Sequence, residues 1–160
     1  MKPEGTSGVF PSERAEGTWI IGYGNRQRRD DGIGPYVIDR LSGRYGGSSG
    51  IRLWSAHILA PDLIEDLQRA QRVIFVDATI AQLKQGWIWD KIAPDFEVLP
   101  YVTHQVKPSL LLGLLERVYG QSPGAYLFTV QGEDFDFGEG LTGVAQKRAD
   151  QVVSEISRFV

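Results

Sequence analysis

Three side chains in this sequence have the types and settings to act together in one chemical site, namely Asp31, Asp77 and His104. Two carboxylates and one imidazole suit a divalent transition metal whose remaining positions stay open to a substrate. Residue types alone do not name the metal. Asp77 is the most informative of the three. It ends the apolar run Val73-Ile74-Phe75-Val76, where a carboxylate is costly to bury unless it is paired, hydrogen-bonded or metal-bound. The plain alternative is an acid that caps a neighbouring turn. Asp31 lies in Asp30-Asp31-Gly32-Ile33-Gly34. Aspartate is common in turns and at helix starts, yet two acids followed by two glycines suit a backbone folded closely around a ligand. His104 precedes a helix instead of lying in an apolar stripe; otherwise it is a satisfied or exposed histidine. The other histidine, His57, is its competitor, as a substrate-contacting or supporting residue. Arg26, Arg28 and Arg29 stand beside the acids, where they either contact an acidic partner, pair with Asp30, or are simply solvated.

These residues need a scaffold, and the apolar pattern supplies one. Trp19-Ile20-Ile21-Gly22, Ile51-Arg52-Leu53-Trp54, Val73 to Asp77 and Tyr126 to Val130 read as strands, and the unbroken apolar run of the third marks it as buried on both faces. Gly86 to Ile92 alternates like an edge strand. Between the strands, Ile33, Val37, Ile38 and Leu41 recur at helical spacing, with Gly43 expected to stop the helix. Pro61 opens a segment with Leu63, Ile64, Leu67 and Ala70 on one face. Pro108 opens a helix carrying Leu110, Leu111, Leu114, Leu115 and Val118, closed by Gly120, and Thr142 caps a last helix that runs towards Phe159. Strands alternating with helices imply a mostly parallel α/β sheet covered on both faces. Ligands in such sheets sit beyond the carboxyl ends of the strands, where Asp31, His57 and Asp77 are all expected.

Composition narrows the remaining possibilities. The chain has 160 residues, 42% hydrophobic and 23% charged, with no cysteine and a net charge of -3. That length suits one domain; residues 1–17, rich in Gly, Pro, Ser and Glu, read as a loose arm before a domain spanning 18–160. Without cysteine there is no disulfide scaffold, thiolate site or cysteine nucleophile. No basic field favours nucleic acid, and no apolar run approaches the ~20 residues of a membrane span. The reading is therefore a cytoplasmic, soluble protein without nucleic-acid or membrane partners. Two motifs fail on context. Gly22-Tyr23-Gly24 has Gln27 where a dinucleotide fingerprint needs glycine, and two acids stand where a phosphate would approach. Gly120-Gln121-Ser122-Pro123-Gly124 spells a nucleophile elbow but follows a helix and enters a strand, the reverse of what an elbow requires. Glu133-Asp134-Phe135-Asp136-Phe137 reads as a docking surface or as a solvated loop with two packed phenylalanines.

Taken together, Gly22-Tyr23-Gly24-Asn25 with Asp30-Asp31-Gly32-Ile33-Gly34, Val76-Asp77-Ala78, and Thr103-His104-Gln105 before a leucine-rich helix resemble the hydrogenase maturation endopeptidases. The resemblance runs from about Thr18 to the end. It implies a three-layer α/β/α sandwich with a mostly parallel sheet of about five strands. It also implies an endopeptidase that trims the C-terminal extension from the large-subunit precursor of a nickel-iron hydrogenase. The family's metal-contacting positions carry over to Asp31, Asp77 and His104, with Asp31 and Asp77 as the catalytic candidates. The nickel would come with the precursor, with no organic cofactor, and the protein would act as a monomer. Arg26-Gln27-Arg28-Arg29 departs from the apolar loop of many relatives, and Ser55-Ala56-His57-Ile58 stands where others carry Asp-Gly-Gly-Thr. The segment His57 to Pro61 is more like the branch that serves NAD-coupled bidirectional hydrogenases. Two other readings remain open: a nickel-binding assembly module that docks without cutting, and a self-contained metallohydrolase for small peptides or amides.

Overall fold

The computed structural model describes residues 17–48, 50–97 and 106–160. The expected arm lies outside these residues except for Gly17, which belongs to the domain: its N–H donates to Gly50 O and its carbonyl accepts from Gln71 N–H. The chain runs β1 (Thr18–Tyr23), α1 (Ile33–Tyr45), β2 (Ile51–Ala56), α2 (Ile64–Leu67), β3 (Arg72–Thr79), β4 (Trp87–Ile92), α3 (Pro108–Tyr119), β5 (Gly124–Gln131) and α4 (Gly143–Ser157). The strands form one sheet in the order β2-β1-β3-β5-β4, with only β4 antiparallel and at an edge. This is the expected α/β/α sandwich.

Successive strand residues point to opposite faces, and β3 uses both for burial. Ile74 and Val76 join Ile20 and Phe128 beneath Val37, Leu41, Val152 and Ile156 of α1 and α4. Val73 and Phe75 join Ile21 beneath Leu63 and Leu67 around α2 and Leu111 and Leu115 of α3. That double covering is why the β3 sequence does not alternate. The edge strand β4 is held by Trp89, 2% exposed, whose ring meets Tyr126 edge-on at 6.0 Å.

Several boundaries differ from the sequence pattern. Gly43 does not end α1, which continues to Tyr45. Tyr45 packs against the core and its hydroxyl donates to Ser157 O at 3.4 Å, while Arg44 reaches Ser157 Oγ at 3.1 Å; these contacts outweigh the roughly 1 kcal/mol that a helical glycine costs. The Pro61 segment is a 3-10 turn and a single α-turn ending at Leu67. In α3, Leu112 is buried and Val118 is 55% exposed, so the apolar face ends a turn earlier than the leucine spacing implied.

Gly120 does close α3. It has φ of +80° and its N–H bonds to Glu116 O, with nothing near an added Cβ. Gly120→Ala therefore tests left-handed strain alone. Thermal unfolding of this variant should show a loss of about 1–2 kcal/mol, and an unchanged midpoint would contradict the strained assignment.

Candidate active site

The sheet order reverses direction at β1: the chain goes out to β2 on one side and returns to β3 on the other. In open α/β sheets the crevice beyond such a switch point is where ligands bind. Two of the three expected residues meet there. Asp77 lies one residue past Gly22↔Val76, the last pair of the β1–β3 ladder, while on its other side it still pairs with Thr129 of β5. It does not cap a turn, because β3 continues to Thr79. Asp31 lies in the 3-10 turn Arg29–Gly32 that leads into α1. Its Oδ2 accepts the Asn25 N–H at 2.7 Å, which folds the loop back over the end of β1.

Asp31 is close enough that its charge acts on Asp77. Burial raises the Asp77 pKa to about 6; hydrogen bonds from the Tyr23 hydroxyl and Ala78 N–H oppose that rise, and repulsion from Asp31 adds to it. Among the described residues no basic group enters this balance. The Tyr23 hydroxyl is itself held protonated, first by burial and then by the adjoining Asp77 charge. Two partly buried acids whose charges repel at the end of the sheet form a cation-seeking arrangement.

Gly34 and Gly24 have packing roles around this loop. A Cβ on Gly34 would lie 2.6 Å from both the N and O of Tyr23 and 2.7 Å from Val76 O. Gly34 therefore lets the first turn of α1 touch β1 and β3 directly. Gly24, at φ of +144°, passes against the Asp31 carbonyl, and its N–H donates to Ala56 O. These contacts fix the loop that carries Asp31.

Asp30 has a role distinct from its neighbour's. It is fully buried, and its carboxylate accepts Glu133 N–H at 2.7 Å, Asp134 N–H at 3.0 Å, Thr142 N–H at 2.8 Å and Thr142 Oγ1–H at 2.8 Å. Burial pushes its pKa up, but the donors together hold it below the ordinary carboxylate value. The possible pairing of the arginine cluster with Asp30 is thus replaced by backbone donors. Arg26 pairs with Asp39 at 2.6 Å, Arg29 faces Asp134 at 3.5 Å, and Arg28 stacks over Phe137 at 4.2 Å. Thr142 also caps α4 as expected, accepting from Ala145 N–H.

His104 lies outside the described residues. The described chain resumes at Val106, whose N–H donates to Leu59 O at 3.0 Å and whose side chain packs on the cluster containing Tyr23. Among the described residues no three His, Asp or Glu side chains group to hold a metal. His57 is exposed in the loop after β2. In the acidic-aromatic loop Phe135 lies against Gly132, while Phe137 is 74% exposed beneath the Arg28 guanidinium. Sequence reasoning missed Tyr23. The available signal was its position two residues after Ile21, on the face shared by Phe75 and Asp77.

The fold thus brings Asp31 and Asp77 together at its switch point. No family model matches the chain, and neither does any curated protein. Solved structures do. A [NiFe] hydrogenase maturation protease, HycI, from Thermococcus kodakarensis is similar with a TM-score of 0.70 and 19% identity, covering 90% of this chain and 92% of its own. The hydrogenase maturating endopeptidase HybD from E. coli is similar with a TM-score of 0.68 and 18% identity, covering 87% and 88%. A hydrogenase 3 maturation protease is similar with a TM-score of 0.61 and 21% identity, covering 89% and 90%. At these identities the likeness establishes a shared fold over nearly the whole of each chain.

Proposed function

We propose that this protein is an endopeptidase that removes the C-terminal extension of a nickel-loaded [NiFe]-hydrogenase large-subunit precursor. The observation that carries the reading is the Asp31–Asp77 pair, set at the switch point of a fold shared with maturation proteases. His104 is the proposed third ligand. The nickel arrives as the client's cargo, so only a loaded precursor completes the cage and cleavage becomes a test of loading.

Bound between these side chains, nickel would polarise the scissile carbonyl or activate water. Either route needs a group to take a proton from the attacking water and return it to the leaving amine, and one of the two aspartates serves as that base. We place the client among the NAD-coupled bidirectional hydrogenases on the character of His57 to Pro61. We also assign the protein to the cytoplasm, as a monomer; no helix among the described residues is long and apolar enough to cross a membrane.

Mass spectrometry of a nickel-loaded precursor incubated with the protein should show loss of its C-terminal tail. A precursor that stays whole in a stable complex would instead identify a non-cleaving nickel-binding assembly module. Turnover of free peptides by a protein purified with its own tightly bound metal would identify a self-contained hydrolase.

A further inference from the structure

Tyr23 is 7% exposed, and its ring packs in an apolar cluster with Leu59, Leu63, Phe75 and Leu111. A phenol buried in such surroundings needs a partner for its hydroxyl, and the strand register provides one. Tyr23 stands one residue beyond Gly22 on β1, as Asp77 stands one beyond Val76 on β3. By the two-residue alternation from Ile21 and Phe75, both side chains project on the face of α2 and α3. The hydroxyl bonds the Asp77 carboxylate across the strands.

The backbone of Tyr23 is equally fixed. Gly34 approaches its N and O, and the next residue's N–H bonds to Ala56 O. The two acids are therefore restrained by different means. Asp31 is held by a main-chain N–H, which no side-chain change removes. Asp77 is held through a side-chain hydroxyl that the loss of one oxygen atom deletes.

We propose that Tyr23 is a positioning residue, whose hydroxyl holds the Asp77 carboxylate turned towards Asp31 to receive the client's metal. This deepens the proposed function and rests on it. Adjacent carboxylates repel, and without a restraint Asp77 would turn away from Asp31; the Tyr23 bond keeps the pair convergent before the metal arrives. Groups that orient a metal ligand in this way change metal affinity or activity by roughly 10–100-fold when removed.

The test measures binding of nickel-loaded and nickel-free precursor, together with cleavage, for the full chain and for Tyr23→Phe and Asp77→Ala. Tyr23→Phe keeps the ring, so it should still fold, with a melting temperature lowered only by the loss of one hydrogen bond. It should weaken binding of the loaded precursor and lower kcat/KM by about 10–100-fold, leaving binding of the nickel-free precursor unchanged. Replacing Tyr23 by 4-aminophenylalanine, which restores a donor at the same place, should recover most of the loss. A Tyr23→Phe protein that binds and cuts loaded precursor like wild type, while Asp77→Ala does neither, overturns the proposal; so does a 4-aminophenylalanine variant no better than phenylalanine. If Asp77→Ala itself binds and cuts normally, the proposed function fails, a separately recognisable result.

Discussion

Asp77→Asn should abolish cleavage of the loaded precursor and, at neutral pH, make the protein more stable. The two effects share one cause. Folding buries the carboxyl and sets it beside Asp31, so that its pKa rises from 3.8 to about 6. The folded state thus holds this proton more tightly than the unfolded chain. As pH climbs from about 4 through about 6, the unfolded state releases the proton first and stability falls. Above that window the charged Asp77 costs on the order of 2–3 kcal/mol. Asparagine keeps the shape and can still accept from Tyr23, but it cannot ionise. Denaturant midpoints of variant and wild type should therefore coincide near pH 4 and separate by pH 7, with the variant ahead. Activity should fall by about 10³-fold, since the amide is a weak metal ligand and can take no proton from water. A variant that is less stable at pH 7, or that cuts normally, would contradict the account.

The second large effect belongs to the neighbouring acid. Asp30→Ala should destabilise the protein by about 3–5 kcal/mol, because it strips a partner from three backbone N–H groups and the Thr142 hydroxyl at once. Asparagine should rescue in part: its single acceptor can take the three donors that converge on one oxygen, but its NH2 then faces Thr142 N–H, and the charge is lost. The pKa of Asp30 is lowered in the fold, so its contribution is complete above the unfolded value near 3.9 and fades as pH falls through the folded one. Chemical denaturation at pH 7 and again below pH 3 should show a large difference shrinking with acid. A difference that persists unchanged at low pH would mean that the carboxylate charge is not what the latch uses.

The contrast between Asp30 and Asp31 shows how far the sequence could be read. The periodicity of Ile33, Val37, Ile38 and Leu41 and the unbroken run before Asp77 were enough for α1, β3 and the layered fold, because burial on two faces imposes those patterns directly. The edge position of β4 was legible from its alternation. What the pattern does not encode is contact across distant segments. Nothing local tells that Gly34 touches the backbone of Tyr23 and Val76, that Asp30 serves the loop before α4, or that Tyr23 meets Asp77. The end of α1 differs for the same reason: Gly43 is tolerated because Tyr45 finds Ser157 far along the chain. At the site, the sequence marked Asp31 and Asp77, and the fold brings them together.

The most direct measurement compares nickel-loaded and nickel-free precursor side by side, with wild type and with Asp31→Ala. Wild type should trim only the loaded form, and Asp31→Ala should trim neither. Equal trimming of both forms by wild type, or full trimming by Asp31→Ala, would contradict the claim that two carboxylates at the switch point read the client's metal.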